Sequence, residues 1–357
     1  MGRKGRCDIK GKKRLVWLVI FLVLIVVTLR AIMSGATEFT AERFGELLLS
    51  ASPFWMAMAL LCMAGFVFFE AYSLWRLERF FGHGRKMSRN VVYSAADIYF
   101  SAITPSASGG QPASAVFMVR DGIPGAVTTM CLLLNVMLYT VSILIIGVLC
   151  FVLFPGAFFA FSIPSRILII MGFVVQLFVV VGLLLMVTKE KIILNLAGFI
   201  IRLLCKIRLM RNQEQRMASL EKMIAEYRAC IQAFKGGGWM VFRVLLLNLM
   251  QRFCNIGVAL CVYLAVGGDP SRWLEVFITQ GFVVLGSNAV PIPGAVGVAD
   301  YMFMDGFEHI IADTACVELI SRGISFYVCL VLCGGLTLLA TVWNTVKKRK
   351  LRKKEQA

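Results

Sequence analysis

The chain has 357 residues, 59% hydrophobic and 16% charged, with a mean hydropathy of +0.81; a soluble domain carries about 25% charge, so this composition excludes an ordinary soluble enzyme and implies an integral membrane protein. The net charge of +17 does not indicate a nucleic-acid partner, because 30 of the 37 Lys and Arg fall in five segments beside apolar runs, as positive-inside topology and anionic lipid headgroups require. Eleven scattered cysteines without a C-x-x-C pair and two distant histidines, His83 and His309, offer no metal or haem site, so no cofactor is expected.

Residues 1–14 form a basic leader. Leu15 to Met33 follows without a small-x-small cleavage site, so it reads as a first transmembrane helix rather than a removed signal. Ser34 to Ser52 reads as an outer surface segment. Pro53 to Trp75 then crosses back, delivering Arg76, Arg79, Arg85, Lys86 and Arg89 to the cytoplasm.

Asp97 to Asp121 is a different kind of stretch, with Pro105, Gly109, Gly110 and Pro112 set among serines between apolar runs. In hydrocarbon such a backbone break is tolerable only inside protein or beside a watered cavity. The flanking halves, Val91 to Ile103 and Gln111 to Arg120, would be about 20 and 15 Å long as helices, each short of the roughly 30 Å core. Charge chooses between a crossing and a return. A crossing would place the ten cations of Lys189 to Lys235 outside, whereas a re-entrant hairpin leaves every basic cluster cytoplasmic.

Gly125 to Phe154 crosses outward, Pro155 to Ser165 turns, and Ile167 to Val187 crosses inward. Residues 189–238 read as a cytoplasmic amphipathic linker ending in the Gly236-Gly-Gly238 hinge. Trp239 to Val266 crosses outward. Gln280 to Glu308 repeats the broken plan around Ser287-Asn-Ala-Val-Pro-Ile-Pro-Gly-Ala-Val-Gly297, and Val317 to Val346 crosses to a basic tail, 347–357. The expected fold is an all-α membrane protein of six full spans and two hairpins, in one domain over 15–346 with both termini cytoplasmic. Hairpins dipping in from opposite faces make it an inverted repeat, whose broken segments point to a binding site.

Ionisable groups inside a span are candidates for function. Asn248, Gln251, Arg252 and Asn255 share one helical face, with Arg252 near mid-span. Thr128, Asn135, Tyr139 and Ser142 form a second stripe, and Glu318, Arg322 and Ser325 a third. These stripes should converge with the hairpin tips on one interior. Interhelical glue is the bland alternative, worth about a kilocalorie or less per bond. Arg252 suits bidentate phosphate binding, and its counter-anion is either a carboxylate such as Asp97 or Asp300 or a lipid phosphate. A helix N-terminus near Gln111 also favours anions. Glu70 and Asp97 either pair with a substrate cation, relay protons, or form salt bridges to Arg76 or Arg89. Glu190 and Arg243, near span ends, read as solvated.

The string Thr104-Pro-Ser-Ala-Ser-Gly-Gly-Gln-Pro112, followed far downstream by Val290-Pro-Ile-Pro-Gly-Ala-Val-Gly297, resembles the transmembrane-region family of lysylphosphatidylglycerol synthases, from about Leu15 to Val346. Ala295 stands where relatives often carry glycine, and Asp300 supplies the acid that follows. The resemblance implies a flippase-like protein of the cell membrane handling anionic, aminoacylated or otherwise modified phospholipids. Larger relatives append a soluble domain that transfers lysine from lysyl-tRNA to phosphatidylglycerol, for which this chain shows no counterpart. No catalytic residue is therefore expected. The substrate-binding candidates are Arg252, Asn248, Gln251, Asn255, Asn135, Tyr139, Glu318 and Arg322, with Thr104, Ser108, Gly109, Gly110 and Gln111 at the first tip. Asp97, Pro105, Pro293, Gly294, Gly297 and Asp300 are the hairpin and coupling candidates. A lipid translocase leads. A phosphatidylglycerol lysyltransferase or its membrane subunit is the alternative, and a non-transporting scaffold the third reading. No G-x-x-x-x-G-K-[ST] loop is present, so uphill transport would need an ion gradient or a separate energising or synthase subunit.

Overall fold

The computed structural model describes residues 41–188, 228–234 and 236–354, which contain helices and turns and no strand. The leader, the expected span Leu15 to Met33 and most of the 189–238 linker, Glu190 included, lie outside the described residues. Five described helices are long and apolar enough to cross a bilayer. After a short α1 (Ala41–Ser50) come α2 (Pro53–Phe80), α5 (Gly125–Leu153), α7 (Ile163–Thr188) and α8 (Gly238–Ala265) as spans. Between them lie α3 (Met87–Ile103), α4 (Gly110–Arg120) and the six-residue α6 (Pro155–Ala160). Beyond α8 follow α9 (Trp273–Ser287), α10 (Val298–Phe307), and a last span made of α11 (Thr314–Arg322), a π-helical turn (Gly323–Val328) and α12 (Cys329–Lys354). The π turn was not expected from the even apolar run. Ser325 falls within it, where the winding departs from the 3.6-residue spacing that places Ser325 in one stripe with Glu318 and Arg322.

Both broken stretches fold back. The first helix of each hairpin is too short to span: α3 has 17 residues, about 25 Å, and α9 has 15, about 22 Å. In the first hairpin, Gly110 packs on Asp97 and Ser101, while at the far end Tyr93 Oη donates to Asp121 at 2.6 Å. In the second, Gly286 packs on Met302 and Gly306 on Thr279. These contacts fix antiparallel registers rather than helices laid end to end. Helix α9 begins at Trp273, seven residues before the expected Gln280, because Asp269 caps the preceding turn through Ser271 N at 2.9 Å.

Helix α2 defines the two faces. Its C-terminal end runs into the turn that starts the first hairpin, where Glu78 accepts from Asn90 Nδ2 at 3.2 Å. Its N-terminal end meets the segment that opens the second: Ser52 N donates to Ala265 O at 2.7 Å, and Arg43 pairs with Asp313 at 2.9 Å. The hairpins therefore open on opposite faces, and their tips touch each other. The tips also share a backbone plan. Thr104 and Ile292 are extended, each is followed by a Pro that starts a single 3-10 turn, and Ala107 and Ala295 both adopt left-handed angles, φ 53° and 50°. Alanine rarely sits there, so its recurrence at matched positions is the strongest structural mark of the repeat.

Each hairpin has its own core. Tyr93, Phe117, Met118, Met130 and Leu134 pack around the first; Phe161, Phe282, Phe303 and Phe307 pack around the second. Outside, α7 turns Ile167, Ile170, Phe178 and Leu184 outward, an apolar surface suited to lipid.

Candidate functional site

Asn248, Gln251 and Arg252 point inward from α8 as their spacing requires, and each meets a different partner. Asn248 Nδ2 donates to Ser73 Oγ at 3.2 Å, and Ser73 Oγ donates to Asn135 Oδ1 at 2.6 Å. This chain ties α8, α2 and α5 together, which is the glue reading for Asn135. Gln251 Nε2 donates to Glu70 Oε2 at 2.9 Å. Asn255, one turn on in the same helix, is half-buried, and its side chain makes no hydrogen bond among the described residues.

Arg252 is only 4% exposed. Its guanidinium lies 4.1 Å from the Tyr139 ring centroid and 5.0 Å from that of Phe66, and Nη1 donates to Tyr139 Oη at 3.3 Å. Stacking of this kind contributes about 0.5–2 kcal/mol, less than an isolated buried charge costs. Among the described residues no carboxylate stands within ion-pair distance of Arg252, and its Nε has no acceptor. Neither acid expected to meet it does so.

Asp300 is taken by Arg322, whose Nε lies 3.0 Å from Asp300 Oδ1, close enough for an ion pair though not aligned as a hydrogen bond. Arg322 Nη2 also donates to Gly294 O at 2.9 Å, and Asp300 Oδ2 accepts from Gly297 N at 2.7 Å. Glu318, one turn before Arg322 on the same helix, is buried as well. Pro293, Gly294 and Gly297 are thus held as a fixed tip by the last span, and Gly294 at φ +60° packs so closely on Phe326 that a side chain would have no room. Arg322 therefore holds the second tip, and among the described residues neither it nor Glu318 makes a hydrogen bond or ion pair with Asn248, Gln251 or Arg252. One acid at helix position N3 captures Arg322.

Asp97 is buried at the first tip. It accepts from Gln111 Nε2 at 2.7 Å and Ser101 Oγ at 3.2 Å. The start of α4, expected to attract an anion, already has this carboxyl against Gly110. Salt bridges from Glu70 or Asp97 to Arg76 or Arg89 are not formed; Arg89 pairs with Asp121 at 3.0 Å. Thr104 builds the turn itself, its Oγ1 accepting from Gly109 N at 2.8 Å and donating to Phe100 O at 2.6 Å. Pro105 and Ser108 are exposed at the tip. Arg243 is exposed and stacks on Trp239 at 4.7 Å.

Sequence reading weighed Glu70 but left it out of the candidate site, and it missed Phe66 and Ser73 entirely. Glu70-Ala-Tyr-Ser73, a polar pair three apart in an apolar span, was the available signal. Nothing in the sequence distinguishes Phe66 from its neighbours Phe68 and Phe69.

A family model described as the lysylphosphatidylglycerol synthase TM region matches residues 15–333 of the chain. A search of curated proteins finds no match.

Proposed function

Because the chain belongs to the family of the lysylphosphatidylglycerol synthase TM region, we propose that it is a lipid translocase, passing the headgroups of aminoacylated or otherwise modified phospholipids between the two hairpin tips. Arg252 is the group that meets the phosphate. The observation that carries this reading is the contrast between two buried arginines. Arg322 is neutralised by Asp300 at 3.0 Å, whereas Arg252 has aromatic walls, one phenol and no carboxylate among the described residues. A guanidinium left so can accept a phosphate in two-pronged fashion, and a low-dielectric setting strengthens that contact. The acyl chains would stay in lipid while the headgroup passes through the polar interior.

Reconstitution of the purified chain in liposomes with fluorescent and aminoacylated phospholipids tests this. Exchange between leaflets above protein-free controls, lost in Arg252→Gln, is the expected result; exchange unchanged by that substitution would remove Arg252 from the path. The family description itself favours a second reading, lysyl transfer to phosphatidylglycerol. Adding lysyl-tRNA to the same liposomes scores it, and the translocase reading expects no aminoacylated product from this chain alone.

A further inference from the structure

Three side chains on the inner face of α8 each hold one polar atom that meets no partner among the described residues. Asn248 is fully buried and its Oδ1 has no donor. Gln251 is 1% exposed and its Oε1 has no donor; Arg252 is 4% exposed and its Nε has no acceptor. All three fall within about 6 Å of helix rise. Buried polar atoms without partners are costly and uncommon, so three on one face point to a ligand.

The bonds these residues do make fix which end of each amide is left over. Asn248 faces Val244 O at 3.0 Å and Ser73 Oγ at 3.2 Å. A carbonyl only accepts, and the Ser73 hydrogen already goes to Asn135 Oδ1 at 2.6 Å. Asn248 must therefore present its NH2 to both, leaving its oxygen free. Gln251 gives its NH2 to Glu70 Oε2 at 2.9 Å, which leaves its oxygen free as well. The contacts also order the site. Ser73, Asn135 and Asn248 form one layer across α2, α5 and α8, and Phe66, Tyr139 and Arg252 form another. Glu70 and Gln251 meet between them.

We infer that Asn248 and Gln251 select phospholipids whose headgroup carries hydrogen-bond donors beyond the phosphate, a primary ammonium or a hydroxyl, and reject headgroups without them. This rests on the reading of Arg252 as the group that meets the phosphate. A phosphodiester anion suits Arg252 Nε but has no hydrogen to give, so it leaves both amide oxygens unpaired. The headgroup beyond it must supply the N–H or O–H. Ethanolamine and choline headgroups carry the same phosphate and the same positive charge, but the choline nitrogen has no hydrogen. Its methyl groups would bury both oxygens without donors, and a site built around such acceptors discriminates strongly against the analogue that lacks them. The Glu70 carboxyl beside Gln251 cannot make this distinction, because it attracts either cation alike.

The test measures binding of short-chain phospholipids to the purified full chain in detergent, from the concentration dependence of thermal stabilisation. Two pairs isolate the donor. Dihexanoylphosphatidylethanolamine against dihexanoylphosphatidylcholine tests an ammonium, and the matching phosphatidylglycerol against phosphatidylmethanol tests a hydroxyl. In at least one pair the donor-bearing lipid should bind about tenfold tighter or more, and the pair that discriminates identifies the donor. Gln251→Lys keeps a donor for Glu70 while removing the amide oxygen. It should lower that ratio several-fold, and its added charge acts on both members of a pair and cancels. Equal affinity within both pairs of the parent, or an unchanged ratio in the folded variant, would overturn the inference. Equal affinity for all four lipids that is lost in Arg252→Gln would do so while keeping the phosphate reading, and binding of none would defeat both. The expected ratios without leaflet exchange in liposomes would leave headgroup selection standing and defeat the translocase reading instead.

Discussion

Arg322 stands 3.0 Å from Asp300, and that ion pair fastens the last span to the second hairpin while Arg252, also buried, has no carboxylate partner among the described residues. The same residue type thus meets a carboxylate at one position and only aromatic rings and a phenol at the other. The difference lies in where the acids sit. Asp300 at the start of α10 faces Arg322 directly, whereas Glu70 is engaged by Gln251 and Asp97 by Gln111 and Ser101.

Arg322→Gln should destabilise the protein by about 3–5 kcal/mol, because it leaves Asp300 and Glu318 buried without their cation. Thermal unfolding in detergent checks this. The double change Arg322→Gln with Asp300→Asn should recover part of the loss, and a single mutant as stable as the parent would remove the fastening role.

Arg252→Gln should unfold within about 1–2 kcal/mol of the parent, since the stacking lost is offset by removing a buried charge without a carboxylate. Lipid exchange should nonetheless be abolished. Arg252→Lys should recover only part of it, because an ammonium lacks the planar fork. Stability and exchange measured on the same preparation separate these effects.

Gly110→Ala should lower stability by roughly 1–3 kcal/mol, the usual cost of overpacking. Its methyl would overlap Asp97 Oδ1 and Ser101 Oγ. Gly182→Ala on α7 meets open space and serves as the control expected to keep parental stability and exchange. Equal behaviour of the two would show the tip to be a slack loop.

The opposed hairpins predict opposite labelling. Single cysteines at His83 and Asp269, in a cysteine-free background, should react with an impermeant thiol reagent from different sides of sealed vesicles. By the positive-inside rule His83 is expected to react from the cytoplasmic side. Labelling of both from one side would defeat the opposed hairpins and with them the inverted repeat.

The sequence by itself determined the architecture, because the bilayer leaves little choice. Apolar length identifies spans, the Pro-Gly breaks at 104–112 and 287–297 forbid plain helices, and lysine and arginine clusters allow only the folding-back arrangement. It also determined that Asn248, Gln251 and Arg252 share a buried face, since that follows from helical spacing alone. Which polar group meets which was decided only by the tertiary structure. The spacing of Glu318 and Arg322 looks no different from that of Asn248 and Arg252, yet Arg322 is drawn to Asp300 while Asn248 meets Ser73 and Arg252 is left among Tyr139 and Phe66. Residue pairing depends on how far each helix slides and rotates against its neighbours. Here that is fixed by packing contacts such as Gly110 on Asp97 and Gly286 on Met302, whose partners lie on separate helices and carry no mark of one another in the sequence.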